Sequence, residues 1–241
     1  QEAYVEAGPT ANPVVLQSLG VEAIVNRRES MRSAYFELAP SEVFEELDGL
    51  DVTFLDGPYR YVELSTTAVG MMPLIPPHMY GPPEKCYYTQ IAENPGLISN
   101  AYGQGATAYM PWNIGDLYNT HQWHGHRRVF AAVLDSVLGV SRTVMTDAPE
   151  ALEFVLLTKG ASWMNCEDDW LLQLINLSGY TGVGYYAPHP IFEVNIAMKV
   201  PQKPSELRLT DGSELPFSYE DAVLSFKVPQ VESLQGVVIR W

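Results

Sequence analysis

The segment IFEVNIAMKV, residues 191–200, carries an apolar side chain at every second position. These apolar positions are Phe192, Val194, Ile196, Met198 and Val200. Because successive side chains of a strand point to opposite faces of a sheet, this period predicts a strand with one face in a core. The segment AVLSFKV, residues 222–228, repeats the pattern with Ala222, Leu224, Phe226 and Val228.

Further short strands surround these two. They are predicted within LEFVLLTKG, DWLLQLINLSG, SELRLTDGSELPF and LQGVVIRW. Asp211 and Gly212 form a typical hairpin turn between two of them. Several short strands separated by turn signals, with no helical period between them, predict a small antiparallel β-sandwich over residues 147–241.

Apolar side chains at helical spacing occur only before residue 147. In HRRVFAAVLDSVLG, residues 126–139, the apolar side chains recur at helical spacing and Gly139 supplies a left-handed stop. These side chains are Phe130, Val133, Leu134, Val137 and Leu138. A shorter helix is predicted within PSEVFEELDG, residues 40–49, with Ser41 as its N-cap.

Strand candidates at residues 34–38, 60–64 and 106–110 alternate with these helices. A proline-rich loop, PLIPPHMYGPPEKCYY, lies between the second and third candidates. Strand, loop and helix in alternation favour an α/β layered sheet over residues 1–146. The boundary between the two domains is predicted within residues 141–150.

Composition excludes some classes of partner. The chain has 14 basic and 29 acidic side chains, a formal net charge of −15. Because binding to phosphate backbones or anionic lipid depends on Lys and Arg, nucleic acid and membranes are not predicted partners. Cys86 and Cys166 stand far apart, which favours two thiols over a disulfide and leaves the cytoplasm and secretion open.

The segment GQGATAYMPWNIGDLYNTHQWHGHRR, residues 103–128, holds three of the five histidines. His121, His124 and His126, with Asp116 nearby, are the candidate zinc ligands, because neutral imidazole is a common ligand of zinc. Their spacing matches no catalytic zinc pattern, however, and no metal or other cofactor is predicted. The sequence also lacks the GxSxG, HExxH, GxGxxG and GxxxxGK[ST] motifs.

The residues also offer candidates for two other chemistries. Glu93, Asp116 and Asp135 are candidate members of a carboxylate pair for glycoside hydrolysis, with His124 as a further candidate catalytic group. Cys86 is a poor nucleophile candidate because no small residues beside it permit a tight turn. Whether the chain is an enzyme stays open; if it is, a glycoside hydrolase is expected.

Aromatic side chains are concentrated in the same region. They are Tyr80, Tyr87, Tyr88, Tyr102, Trp112, Tyr118 and Trp123. Flat rings suit the apolar faces of sugars, but they also dominate protein cores and interfaces. Tyr102, Trp112, Tyr118 and Trp123 are therefore predicted to face an interface or a carbohydrate.

Residues 32–64 and 98–130 carry a family resemblance, through AYFELAPSEVFEELDGLDVTFLDGPYRYVEL, GQGATAYMPWNIGDLY and HGHRRVF. They resemble the trimerisation-type, class I glutamine-amidotransferase-like domain that follows the catalytic barrel in β-galactosidase-related glycoside hydrolases. Residues 150–241 resemble the small sandwich that ends those chains. The resemblance implies that the catalytic carboxylates lie on a barrel that this chain lacks. It also implies a role in packing between subunits and walling the active-site entrance.

Three functions follow as hypotheses. The first is a non-catalytic accessory region of a glycoside hydrolase, whose partners are further copies of itself or a barrel-containing catalytic chain. The alternatives are a free-standing glycoside hydrolase using Asp116 and His121–His126, and a carbohydrate-binding module using Trp112 and Trp123. The fold expected from the resemblance is a partial flavodoxin-like sheet whose opening strands are missing, which predicts an oligomeric or unstable first domain.

Overall fold

The computed structural model describes residues 13–38, 43–44, 47, 49–78, 81–82, 84, 86–158 and 169–241. The chain divides into two compact units, residues 1–141 and 142–241. Within the described ranges, no helix has the length and apolar character needed to cross a membrane.

The first unit is built mainly from one sheet. Its elements are α1 (Pro13–Ser18), β1 (Val21–Glu37), β2 (Val52–Leu64), β3 (Ala68–Ile75), β4 (Ala92–Tyr102), β5 (Gly105–Tyr109), α2 (Ile114–His121) and α3 (His124–Ala132), and a π-helical turn over Val133–Val137. The strand order is β2-β1-β3-β4-β5, and every neighbouring pair is antiparallel.

The predicted α/β architecture, a flavodoxin-like or amidotransferase-like layered sheet, is therefore wrong. Parallel strands need crossover connections of a dozen or more residues, usually an α-helix, whereas β1 to β5 follow one another without a described α-helix between them. The candidates at 34–38, 60–64 and 106–110 do contain strand, in β1, β2 and β5. Because the sheet is antiparallel, the prediction that opening strands of a parallel sheet are missing has no basis.

The sheet is curved, and the segment that follows β5 returns to the opposite edge strand, β2. The β1 and β2 pairing shifts register at four places, including the stretch where Met31 pairs with Gly57, and such irregularities bend and twist a strand pair. After β5 the chain returns to β2, where the Arg60 N–H donates to the Pro111 carbonyl at 2.9 Å. Tyr59 and Trp112 then form a bridge. This return places Trp112 on the inner face of the sheet, just before α2.

Both faces of the sheet carry buried side chains. On one face, α2 and α3 cover a large core whose sheet residues include Met31, Phe36, Leu55, Tyr59, Met72, Leu74, Leu97 and Trp112. On the other face, Leu16 and Leu19 pack on a smaller cluster formed by Val21, Val62, Ile98 and Tyr109.

The helix predicted over residues 126–139 is confirmed as α3 and the π-helical turn, and Gly139 takes a φ of 62°. Its inner side is Val129, Ala132 and Val133, whereas Phe130 is 48% exposed. The helix predicted over residues 40–49 falls largely outside the described residues, as does its cap Ser41.

The second unit is the predicted antiparallel sandwich, which is confirmed. Its strands are β6 (Val144–Thr146), β7 (Leu152–Leu157), β8 (Trp170–Asn176), β9 (Ile191–Lys199), β10 (Glu206–Leu209), β11 (Phe217–Glu220), β12 (Val223–Val231) and β13 (Leu234–Arg240). One sheet has the order β10-β13-β8-β7 and the other β11-β12-β9-β6. Alternate residues of β8, β9, β12 and β13 fill the shared core.

Strand β9 departs from simple alternation near its start. Val194, Ile196, Met198 and Val200 are buried as predicted, but Phe192 is 61% exposed. Glu193 has a φ of 56°, which breaks the extended backbone between Phe192 and Val194. The turn at Asp211 and Gly212 is confirmed, with Gly212 at a φ of 92° and its N–H bonded to Leu209.

Candidate functional site

Trp112 lies at the centre of the region that the sequence singled out. Its side chain is 0% exposed, and its Nε1–H donates to the Gly96 carbonyl at 2.7 Å. Its ring stands 4.9 Å from that of Phe36, centroid to centroid. A buried indole whose only polar atom is satisfied by backbone acts as a packing group, and neither ring face is open to a sugar.

Tyr59 reaches the same stretch of β4. Its hydroxyl donates to the Pro95 carbonyl at 3.0 Å, and the side chain is fully buried. Burial raises the pKa of Tyr59, and the neighbouring Tyr61 and Tyr109 raise it further. Two side chains thus bind adjacent carbonyls of Pro95 and Gly96, which ties β4 to β2 and to the segment before α2.

His126 is buried under Trp123 and Phe54. Its Nε2 lies 2.9 Å from the Phe54 carbonyl oxygen, and because a carbonyl only accepts, Nε2 carries the proton. The buried Nδ1 has no partner among the described residues. Burial lowers the pKa of His126, opposed by the bond to Phe54. The imidazole is therefore held neutral, as part of the junction between α3 and β2.

The other two histidines of the segment remain at the surface. His121 and His124 are exposed, and His121 packs edge-on against Phe54 with ring centroids 5.3 Å apart. Over the ranges that the structure describes, no three His, Cys, Asp or Glu side chains form a metal-binding group. The structure does not bring His121, His124 and His126 into such a group.

The candidate carboxylates lie on different elements. Asp116 is exposed in the first turn of α2, and Glu93 is exposed near the start of β4. Asp135 is half-buried in the π-helical turn. Cys86 donates to the Gly81 carbonyl at 2.8 Å, while Cys166 lies outside the described residues.

The remaining aromatic candidates differ in accessibility. Trp123 is half-buried, with its ring against Gly125, where an added Cβ would stand 2.4 Å away. Tyr118 is 36% exposed on α2, and Tyr102 is 45% exposed beside the turn between β4 and β5. Of the four rings predicted to face an interface or a carbohydrate, these two tyrosines are the accessible ones.

Sequence reasoning missed a buried arginine. Arg60 is 3% exposed on β2, and its Nη1 has no hydrogen-bond partner within the described ranges. It lies beside Tyr109, whose pKa is raised by burial and lowered in part by the guanidinium. The sequence RYVEL shows only alternation, so nothing in it marks Arg60 as buried. The register of the β1 and β2 pairing is the first information that could indicate which face of the sheet Arg60 occupies.

An apolar groove runs beside α3. It encloses about 370 Å³ and is lined by side chains of α1, β5, the start of α2, α3 and the residues after it. Phe130, Leu134 and Leu138 of the predicted helical stripe are among them. The stripe therefore borders an open groove, and Phe130 projects from it with nearly half its surface exposed.

The depressed pKa of His126 predicts a pH dependence of stability. Since the unfolded chain binds a proton at His126 more readily than the folded chain, stability is retained above about pH 6.5 and falls as the pH drops below it. The slope from this group is at most about 1.4 kcal/mol per pH unit.

We expect urea unfolding at about pH 7.5 and about pH 5.5 to show a steeper loss for the native chain than for His126→Gln. The glutamine keeps an N–H for the Phe54 carbonyl but does not titrate. Equal slopes for the two proteins would show that His126 does not control this dependence.

No family model matches the sequence, and no curated protein matches it either. The fold of this chain is similar to that of part of a solved structure. The α-L-fucosidase isoenzyme 2 from Paenibacillus thiaminolyticus is similar, with a TM-score of 0.65 at 20% sequence identity. The match covers 98% of this chain and 35% of that chain. This chain therefore shares its fold with about a third of a much longer enzyme.

A second similarity is slight. A cycloisomaltooligosaccharide glucanotransferase of Paenibacillus sp., in complex with cycloisomaltoheptaose, matches with a TM-score of 0.33 at 13% identity. It covers 47% of this chain and 20% of that chain. A likeness at this level carries no argument about fold or function.

Proposed function

We propose that this chain is a non-catalytic accessory region of a glycoside hydrolase, which packs between protein subunits and borders a carbohydrate site. The observation that carries the proposal is the match to an α-L-fucosidase, an enzyme that cleaves a glycosidic bond. That match takes in nearly all of this chain but only 35% of the enzyme. A region with this share of a long enzyme fits a supporting part of it.

The chemistry of the first unit supports the same proposal. Trp112 and His126 are engaged in packing and in hydrogen bonds to backbone carbonyls. Asp116 and Glu93 are solvated on separate elements. A pair of carboxylates that performs acid–base or nucleophilic work on a sugar usually needs one member with a raised pKa in a protected pocket.

The groove beside α3 supports the packing role. Exposed apolar side chains bordering a groove are a common feature of protein interfaces, and Phe130 is the largest exposed one there. We assign this groove to contact with a second copy of the chain or with the catalytic barrel. The experiment below tests the first of these.

Sedimentation velocity over a wide range of concentrations tests assembly. The native chain is expected to form an oligomer that Phe130→Asp dissociates, because a charge at a buried contact is costly. Val69→Asp, on β3, serves as the matched control and is expected to leave the oligomer intact, because Val69 is 59% exposed and does not line the groove. A native chain that stays monomeric at the highest concentration would contradict self-association.

A further inference from the structure

A short loop of the second unit presents tyrosines to solvent. It connects β8 to β9, and its tip is Tyr180-Thr181-Gly182-Val183-Gly184-Tyr185. Tyr180 and Tyr185 form a bridge, and the Thr181 N–H donates to the Gly184 carbonyl at 3.1 Å. The tip is therefore a tight hairpin closed by its own backbone hydrogen bonds.

The base of this loop is fixed by buried polar groups. Asn176 is 5% exposed, and its amide donates to the carbonyls of His189 at 2.8 Å and Glu232 at 2.6 Å. The Ser178 hydroxyl accepts from the His189 N–H at 2.9 Å. Because buried amides bonded to backbone hold a chain in one conformation, the two legs of the loop are locked together.

Gly179 adds a steric requirement at the same place. Gly179 lies on the N-terminal leg of the loop, which passes close to the C-terminal leg. A Cβ added at Gly179 would stand 2.2 Å from the Tyr186 carbonyl oxygen. The Tyr186 N–H in turn donates to the Gly179 carbonyl at 2.9 Å. The chain thus uses glycine where two backbone segments meet, and this close pairing orients Tyr185 and Tyr186.

The tip is apolar, aromatic and uncharged. Val183 is 99% exposed, Tyr185 75% and Tyr186 72%. The rings of Tyr180 and Tyr185 lie 4.8 Å apart, centroid to centroid, at 30° to one another. Between Asn176 and Ile191 the sequence contains no Asp, Glu, Lys or Arg. A ligand for this surface therefore has no need of a charge.

We propose that this tyrosine loop, residues 177–190, is a binding site for a neutral carbohydrate chain. The faces of sugar rings carry C–H groups that pack on flat aromatic rings, and tyrosine hydroxyls can exchange hydrogen bonds with sugar hydroxyls. Rings held in advance by a rigid base lose little conformational entropy when a ligand binds. The choice of a sugar over a protein as the occupant rests on the proposed function.

Affinity electrophoresis in native gels tests this site directly. The probes are xyloglucan, galactomannan, arabinoxylan and mixed-linkage β-glucan, each cast into the gel, with polygalacturonate as the acidic comparison. We expect at least one neutral polymer to retard the native chain. The double variant Tyr185→Ala, Tyr186→Ala is expected to bind about tenfold more weakly or worse.

Three controls make the outcome specific. Tyr87→Ala, in the first unit, removes a tyrosine that is 64% exposed and lies outside the loop, and it is expected to keep native retardation. Tyr185→Phe with Tyr186→Phe keeps both ring faces and is expected to retain most binding, which guards against a double alanine variant that fails to fold. Circular dichroism confirms that each variant is folded.

Several results would overturn the tyrosine loop as a sugar site. These are no retardation by any neutral polymer, equal retardation of the native chain and the double alanine variant, or a change in oligomer size caused by that variant. The last would identify the loop as a protein contact. None of them decides whether the chain lacks catalytic activity or self-associates through the groove beside α3, which the turnover assay and the Phe130→Asp variant test separately.

Discussion

Replacing Trp112 with alanine is expected to lower the free energy of unfolding of the first unit by about 3–5 kcal/mol. The indole is wholly buried against Phe36, and its removal leaves a large cavity. It also leaves the Gly96 carbonyl without its donor, which adds to the loss. Hydrogen exchange read by mass spectrometry should show β1, β2 and β4 losing protection together.

Two companion variants sharpen this result. Trp112→Phe keeps a ring but loses the Nε1–H, and an intermediate loss is expected. Tyr118→Ala removes a partly exposed ring from α2 and is expected to cost about 1 kcal/mol or less. If Trp112→Ala were as stable as the native chain, Trp112 would not be the packing centre of the first unit.

Gly96→Ala is expected to be nearly as damaging, at about 3 kcal/mol. An added Cβ would lie 2.6 to 2.9 Å from three ring atoms of Phe36. Phe36 is itself fully buried and contacts Tyr59 and Trp112. Because the ring has no free space, relief of the clash must displace β4 or the aromatic cluster. Chemical unfolding measures the loss.

Gly115→Ala is the matched control for that substitution. Gly115 lies in α2 with nothing within 4 Å of an added Cβ. Alanine there is expected to stabilise the chain by about 0.5–1 kcal/mol through helix propensity. Equal and small effects at both glycines would contradict the close approach of Phe36 to β4.

The sandwich could be predicted because its signals are local. Alternation in β9 and β12 and the turn at Asp211 and Gly212 can be read directly from the residues. The exceptions come from backbone conformations that residue type does not reveal. Glu193 adopts a positive φ, as do Asp221 and Ala222 at the turn between β11 and β12. Alanine gives no hint of such a turn.

The sheet of the first unit could not be predicted in the same way. Most of β1 from Glu22 to Ser30 is exposed, so it lacks the apolar alternation that marks a strand. The genuine helix signal of residues 126–139 then favoured an α/β alternation. Antiparallel pairing is a long-range property: strands are identified by what they pair with, and a single sequence does not state the pairing.

In the candidate site, too, local features could be predicted from the sequence and long-range contacts could not. The sequence located the aromatic and histidine-rich segment, but it could not distinguish Trp112, which is buried, from Tyr102, which is exposed. Burial depends on the return of the chain from β5 to β2. The tyrosine loop had a readable composition, since its three tyrosines stand among glycines without any charge. Its rigidity, however, arises from Asn176 and residues far along the chain.

The central claim is that the residues of this chain pack and bind, and that bond cleavage belongs to other parts of a glycoside hydrolase. The most direct test measures release of 4-nitrophenol by the purified 241-residue chain from a panel of aryl glycosides that includes α-L-fucoside and β-D-galactoside. We expect no turnover above that of buffer. Turnover that increases with purity and is abolished by Asp116→Asn, Glu93→Gln or His124→Ala would contradict the claim.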